Sequence, residues 1–232
     1  MESRTNSDAL YRALLQQIID LTLYPGMGIS ENAISKQFAV SRSVVRGAFA
    51  RLVQLKFLVV YPQRGTYVSL INPNYIRKAL FIRAAVEKEV LRGFMKRQMD
   101  KTEIFKKMEA NLKDQHLFTD EKKYVERFRL LDEEFHNYIL AANDSEDVLS
   151  LLDDHLLHIA RWRNIYVDSG VSLSMLVDQH ARILGAIEAN DLKDALDATD
   201  VHINTVHEMV LSDPKFSDYF EKEPAFREAK DC

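Results

Sequence analysis

The chain has 232 residues, of which 47% are hydrophobic and 28% charged, and this is the composition of a globular protein of one or two domains. It contains no apolar run long enough for a membrane span, and its N-terminus lacks the apolar core of a signal peptide. The single cysteine, Cys232, excludes an internal disulfide and a cysteine-based zinc site, so we expect a cytoplasmic protein with no membrane partner. Residues 1–70 carry eight Lys/Arg against four Asp/Glu, whereas the net charge of the whole chain is −4. This uneven distribution favours contact of the first part alone with a polyanion.

The first 70 residues predict a helix-turn-helix followed by a β-hairpin. A helix is predicted over 8–23, ended by Tyr24-Pro25-Gly26, and a second, shorter one runs from the cap residue Ser30 to Phe38. A third helix follows over 41–52 after a short connection, which is the arrangement of a helix-turn-helix. Strands predicted over 57–61 and 66–68 then form a wing with Arg64 and Gly65 in its turn.

The third helix has the features of a DNA recognition helix. Ser41 can cap it, one face is apolar, and Arg42 and Arg46 stand one turn apart on another face. Taken alone, this stretch fits equally well an amphipathic helix whose basic face is merely solvated. The short helix before it and the wing after it favour DNA binding.

These motifs, at this spacing, resemble the winged helix of GntR-type bacterial transcription regulators. They are Tyr24-Pro25-Gly26, Val40-Ser41-Arg42-Ser43-Val44-Val45-Arg46-Gly47-Ala48 and Arg64-Gly65-Thr66-Tyr67-Val68. The resemblance implies that Arg42, Arg46 and the pair Arg64-Gly65 contact double-stranded operator DNA, with Ser41 or Ser43 donating to phosphates. Gly47 departs from the family, which usually has Glu there. Asn32 stands where some members carry a DNA-contacting Arg, so no contact is assigned to it.

Beyond a linker at 71–74 the pattern is entirely helical. Six helices are expected, over 75–98, 101–116, 120–142, 145–166, 172–189 and 192–211. The polar, Pro-interrupted tail over 212–232 is expected to be loosely attached. We therefore predict a mainly α protein, with a winged helix-turn-helix over 1–70 and an antiparallel bundle of about six helices over 75–211.

Four potential metal ligands fall on the apolar faces of these helices. Asp132 lies inside the apolar arc of its helix with His136 at the edge, and His180 and His202 lie inside the arcs of the last two helices. One carboxylate and three neutral imidazoles suit a divalent transition metal such as zinc, nickel or manganese. The alternative is that each histidine is a satisfied core residue, because the sequence does not show that the helices converge. The other histidines are expected to be surface or structural residues: His116, His155, His158 and His207.

Residues 75–211 also resemble the all-helical, FCD-type effector domain of the FadR-like branch of GntR regulators. The matching motifs are Ile82-Arg83-Ala84-Ala85-Val86-Glu87, Leu131-Asp132-Glu133-Glu134-Phe135-His136 and Gln179-His180-Ala181-Arg182-Ile183-Leu184-Gly185-Ala186-Ile187, followed by His202. The resemblance implies that Asp132, His136, His180 and His202 hold a divalent ion, which receives a small carboxylate effector together with Arg83. The alternative for Arg83 is an ion pair with Glu87, four residues on.

These features predict a ligand-responsive transcription regulator and not an enzyme. A homodimer would read a palindromic operator and repress a metabolic operon, and the carboxylate would shift the helical domain between two arrangements. One alternative is a metal-dependent hydrolase using the Asp/His site. Its general base would be Glu133 or Glu134, but the helical angles of both point away from the buried arc. The other alternative is a regulator whose helical domain only dimerises.

Overall fold

The computed structural model describes residues 2–143, 148, 151–205 and 214–221. It confirms a mainly α fold, in which a winged helix-turn-helix precedes an all-helical region. Among these residues, no helix has both the length and the apolar character needed to cross a membrane. The elements in chain order are α1 (Glu2–Ile19), β1 (Gly28–Ile29), α2 (Glu31–Gln37), α3 (Arg42–Gln54), β2 (Leu58–Tyr61), β3 (Gly65–Val68), α4 (Pro73–Lys96), α5 (Thr102–His116), α6 (Glu126–Ala141), α7 (Asp153–Asp168), α8 (Leu173–Glu188), α9 (Leu192–Asn204) and a 3₁₀ helix (Pro214–Tyr219).

Helices α2 and α3 begin at the predicted serine caps. The Ser30 and Ser41 hydroxyls accept from backbone N–H groups three residues on, which satisfies donors that the first turn leaves free. Helix α1 packs against α3 and ends at Ile19, before the predicted Leu23, because the chain turns at Leu21 with a φ of 64°. A Cβ added at Gly47 would lie 2.7 Å from the Ser7 Oγ of α1, so the glycine permits the close packing of these two helices.

The wing is a three-stranded antiparallel sheet with strand order β1-β3-β2. Its tip pairs Tyr61 with Gly65, which has a φ of 107° that favours glycine. Strand β1 was not predicted, because two residues are too few to show an alternating pattern. It pairs with the other edge of β3 and so ties the turn after α1 to the wing.

The helical region differs from the prediction mainly at helix ends. Helix α4 begins at Pro73 rather than Tyr75, because proline is favoured in the first turn and the Asn72 side chain caps the Tyr75 N–H. Helix α6 begins at Glu126, so the predicted start at 120 is wrong; the preceding turn instead buries Tyr124. The predicted start of the next helix at 145 and the predicted end of the last one at 211 lie outside the described residues.

Part of the C-terminal tail is packed, contrary to the expectation of loose attachment. Phe216 and Phe220 are buried, and the ring of Phe220 lies 5.5 Å from that of Trp162 on α7. Ile71, just before α4, pairs with Phe220 through backbone hydrogen bonds to its neighbours. These aromatic residues hold 214–221 against α7 and against the segment before α4, despite the polar residues between them.

Candidate metal centre and nucleic-acid interface

The six predicted DNA-binding residues are all exposed. Arg42 and Arg46 project from the start of α3 with side chains 58% and 63% exposed. Both pair with one carboxylate oxygen of Glu31 in α2, at 3.7 and 3.0 Å. The beginning of α3 therefore presents two guanidiniums oriented by one carboxylate. Glu31 was not recognised in the sequence, because its relation to α3 depends on how the two helices pack.

The remaining candidates lie at the helix cap and at the wing tip. The hydroxyls of Ser41 and Ser43 are 2.8 Å apart at the N-terminus of α3. Arg64 is the last residue of the turn of the wing and Gly65 the first of β3, and the Tyr67 hydroxyl donates to the Arg64 carbonyl at 3.0 Å. This bond braces the turn and leaves the Arg64 side chain free to project from it.

The four predicted metal ligands converge in the core of the helical region. Asp132 and His136 come from α6, His180 from α8 and His202 from α9, and each is at most 4% exposed. One potential ligand atom from each residue lies within 4.8 Å of all the others. The Nε2 atom of His202 is 3.2 Å from the Nε2 atoms of both His136 and His180, and Asp132 Oδ1 is 3.5 Å from His180 Nε2.

The other ring nitrogen of each histidine faces an oxygen acceptor. His136 Nδ1 is 2.8 Å from a Glu87 carboxylate oxygen. The other two acceptors are side-chain amide oxygens: Gln115 lies 2.8 Å from His180 Nδ1, and Gln179 lies 3.2 Å from His202 Nδ1. Since each oxygen requires a proton on Nδ1, the lone pair of every ring is left on Nε2. This is the outer arrangement that orients metal-ligating histidines.

This arrangement fits a divalent metal. Three Nε2 lone pairs face one another, and Asp132 Oδ1 is buried without a hydrogen-bond partner among the described residues. Burial lowers the pKa of His180 to about 3 and that of His202 well below its ordinary value, so both are neutral. Burial opposes ionisation of Asp132, but the nearby charge of Arg163 outweighs it and holds the pKa of the carboxyl below its usual range. A cation bound by these N₃O atoms would satisfy the three lone pairs and the carboxylate oxygen at once.

A cavity of about 380 Å³ opens beside these four residues. Asp132 and His136 line it, together with two buried guanidiniums, those of Arg83 and Arg163. Arg83 Nε donates to Glu87 at 2.5 Å, so the ion pair considered for Arg83 is formed while the residue also lines the cavity. Its assignment as an effector-binding residue stays a prediction.

The sequence reasoning missed Arg163, which is the residue most closely attached to the ligand set. Its Nη1 donates to Asp132 Oδ2 at 2.5 Å and to the Tyr124 hydroxyl at 2.9 Å, and its side chain is 2% exposed. The available signal was a pair of arginines, Arg161 and Arg163, within 159–167, a stretch rich in apolar residues that the structure buries throughout. The amides of Gln115 and Gln179 were missed as well, since nothing in the sequence relates α5 to α8 or α8 to α9.

Glu133, expected to point away from the buried arc, also lines the cavity. Its carboxylate accepts from Arg129 at 2.6 Å. The carboxylate is therefore already paired, whereas a hydrolase would need it free to act as a general base. The hydrolase alternative therefore gains nothing from this carboxylate.

Helix α7 connects this cavity to the winged helix. His158 Nε2 donates to the Leu55 carbonyl at the end of α3, at 2.9 Å, and its ring stacks on Phe57 with centroids 4.1 Å apart. One turn on, Arg161 donates to the Ser69 carbonyl, just beyond β3, at 2.7 Å. His158 thus has a structural role, and His155 also does, through the Tyr75 hydroxyl. His116 is exposed, and His207 lies outside the described residues.

Two family models match the chain, and between them they span both parts of the fold. The model for bacterial regulatory proteins of the gntR family matches residues 6–68, and the FCD domain model matches residues 78–205. The first match contains the helix-turn-helix and wing, and the second contains all four predicted metal ligands.

Similar proteins of comparable length are transcription regulators. The HTH-type transcriptional repressor RspR of Escherichia coli is 29% identical over 92% of this chain and 93% of its own length. An HTH-type transcriptional regulator in an unstable DNA locus of Streptomyces ambofaciens is 29% identical over 88% and 84%. A solved GntR transcriptional regulator from Rhodococcus shares the fold, with a TM-score of 0.68 and 20% identity over 89% of this chain and 98% of that one.

Proposed function

The chain belongs to the GntR family of bacterial regulatory proteins, with an FCD domain as its helical part, and from this premise we propose a homodimeric repressor that senses a small carboxylate at a divalent metal. Its general class, a DNA-binding transcription regulator and not an enzyme, follows from the family and from its relatives. The observation that carries the finer proposal is the convergence of three lone-pair-bearing Nε2 atoms and one unpartnered carboxylate oxygen beside a cavity with two guanidiniums.

We assign operator binding to the exposed basic residues of the winged helix. Arg42 and Arg46 would reach base edges or phosphates from the start of α3, and Arg64 with Gly65 would approach the neighbouring groove. Ser41 and Ser43 would donate to phosphates. Two copies would read the half-sites of a palindrome, and each phosphate contact would make the affinity depend on salt.

We assign effector binding to the cavity beside the metal ligands. Asp132, His136, His180 and His202 would hold zinc, nickel or manganese, which supplies a Lewis-acidic position for a carboxylate oxygen. Arg83 would bind the same carboxylate through its guanidinium. Glu87 would orient Arg83 as well as His136, since one oxygen of its carboxylate contacts Arg83 and the other contacts His136.

Helix α7 would carry the response from the effector to the DNA. Its residues Ile159, Ala160 and Arg163 line the cavity, whereas His158 and Arg161 hold the end of α3 and the end of the wing. A displacement of this helix by the effector would therefore move the winged helix of each subunit and change the spacing of the two recognition helices. Repression relieved by the effector is the outcome we expect.

The experiment is a DNA-binding titration with purified, metal-loaded protein. Fluorescence anisotropy on DNA from the region upstream of its own gene should give saturable binding that a carboxylate, selected by thermal shift, weakens. His180→Ala should keep DNA binding and lose the response, whereas the matched control His116→Ala, an exposed histidine, should keep both. Equal effector response in His180→Ala would contradict the proposed sensing site.

A further inference from the structure

The buried charges around the candidate metal centre balance without a metal. Two carboxylates, Asp132 and Glu87, face two guanidiniums, Arg83 and Arg163, and all four side chains are at most 5% exposed. Each carboxylate is in direct contact with one guanidinium, Glu87 with Arg83 and Asp132 with Arg163. A divalent ion would therefore leave the centre with a surplus of two positive charges, which is costly among side chains that are almost fully buried.

Arg163 is the positively charged side chain that contacts the metal ligands directly. Its Nη1 atom holds one oxygen of Asp132, its Nη2 atom is 3.4 Å from His202 Nε2, and the side chain lines the cavity. A cation held by the ligand set would thus meet a permanent cation attached to two of those ligands. Arginine cannot lose its proton to relieve the repulsion.

The other charged groups lining the cavity do not offset this surplus. Glu133 is already held by Arg129, and Asp153 lies at an exposed position. An anion that enters the cavity would supply the compensating charge. We propose that Arg163 makes metal binding and effector binding mutually dependent, and that the effector is a dianion, such as a dicarboxylate, that neutralises the metal and Arg163 together.

This inference rests on the proposed metal centre and adds the direction of the coupling between metal binding and effector binding. Each ligand should raise the affinity of the protein for the other by the same factor, because coupling between two binding sites is reciprocal. A monocarboxylate would neutralise only half of the surplus and should couple more weakly. Replacing Arg163 with an apolar residue should raise the anion-free metal affinity and weaken the coupling, because the surplus falls from two positive charges to one.

The test is a zinc titration of the full chain, stripped with a chelator, in competition with a chromophoric chelator. Malonate and succinate serve as dianionic probes and acetate as the monoanion. We expect a dianion to tighten zinc binding by about 5-fold to 150-fold, the usual range for coupled sites. Chelation of zinc by the free acids would act in the opposite direction, so it cannot produce this result.

Three variants identify the residue responsible. Arg163→Met should bind zinc more tightly without anion and show a smaller enhancement by a dianion, whereas Arg163→Lys keeps the charge and should retain the full enhancement. Arg129→Gln is the matched control, since Arg129 lines the same cavity but is held by Glu133 and does not contact the ligands. If Arg163→Met does not fold, Arg163→Gln takes its place with the same expected result, because glutamine is neutral but can still donate to Asp132.

Two outcomes overturn the inference. One is equal zinc affinity of the wild type with and without either dianion, and the other is equal loss of the enhancement in Arg129→Gln and Arg163→Met. A wild-type chain that binds no zinc, nickel or manganese would instead contradict the proposed metal centre itself. The two failures are therefore distinguishable.

Discussion

Replacement of Gln115 by leucine should weaken metal binding without touching a ligand. Gln115 is fully buried, its Oε1 atom accepts from His180 Nδ1 at 2.8 Å, and its Nε2 atom donates to Asn111 at 2.7 Å. Leucine keeps similar volume but offers no acceptor, so nothing fixes the proton of His180 on Nδ1. The loss of such an outer partner typically lowers metal affinity by about 10-fold to 100-fold, which corresponds to about 1.4–2.7 kcal/mol.

Competition with a chromophoric chelator measures this change, and far-UV circular dichroism shows whether the variant is folded. Gln115→Glu is the matched control, because its carboxylate still accepts from His180 Nδ1 and its negative charge favours the cation, so the metal affinity should not fall. His116→Ala, one residue on and exposed, should have no effect. A folded Gln115→Leu protein with unchanged affinity would refute the idea that the Nε2 lone pairs are oriented from outside the site.

Three further predictions test other parts of the account. Arg42→Ala or Arg46→Ala should each weaken operator binding by about 1–3 kcal/mol in fluorescence anisotropy and leave metal content unchanged; normal operator affinity would remove these contacts. Burial lowers the pKa of His158 to about 4 in the fold, so its stabilising contribution is complete above about pH 6.5 and is lost as the pH falls toward 4. Urea unfolding at pH 7 and pH 5 should therefore show a smaller loss for His158→Phe than for the wild type, and equal losses would contradict this assignment. Phe216→Ala should lower the free energy of unfolding by about 3 kcal/mol, because it leaves a cavity at a buried position. The control is Phe81→Ala: Phe81 is 73% exposed, so the free energy of unfolding should change by less than about 0.5 kcal/mol. Similar values for both variants would argue against the packed tail.

The sequence was most informative where one helix carries its own pattern. The serine caps, the apolar face of α3 and the wing turn depend on neighbours within a few residues, and the structure has each of them. The same reasoning placed Asp132 and His136 on a buried face, because two residues one turn apart share a side of a helix whatever packs against it.

The parts that the sequence did not predict depend on contacts between distant elements. Gln115 on α5 reaches His180 on α8, and Arg163 on α7 reaches Asp132 on α6, across separations that no local pattern records. The packed tail was missed for the same reason: Phe220 is apolar in a polar segment, and its partner Trp162 lies far back in the chain. Helix α4 begins earlier than predicted because of a side-chain cap, and α6 begins later because the preceding turn buries Tyr124. Neither effect is visible in the hydrophobic periodicity of the sequence.

The most direct test of the metal-sensing account is the metal content of the purified chain by elemental analysis, measured for the wild type and for His180→Ala after loading with zinc, nickel or manganese. The account predicts about one equivalent of one of these metals per wild-type chain and almost none in the variant, because His180 supplies one of only four ligands. A full equivalent in His180→Ala, or none in the wild type, would contradict it.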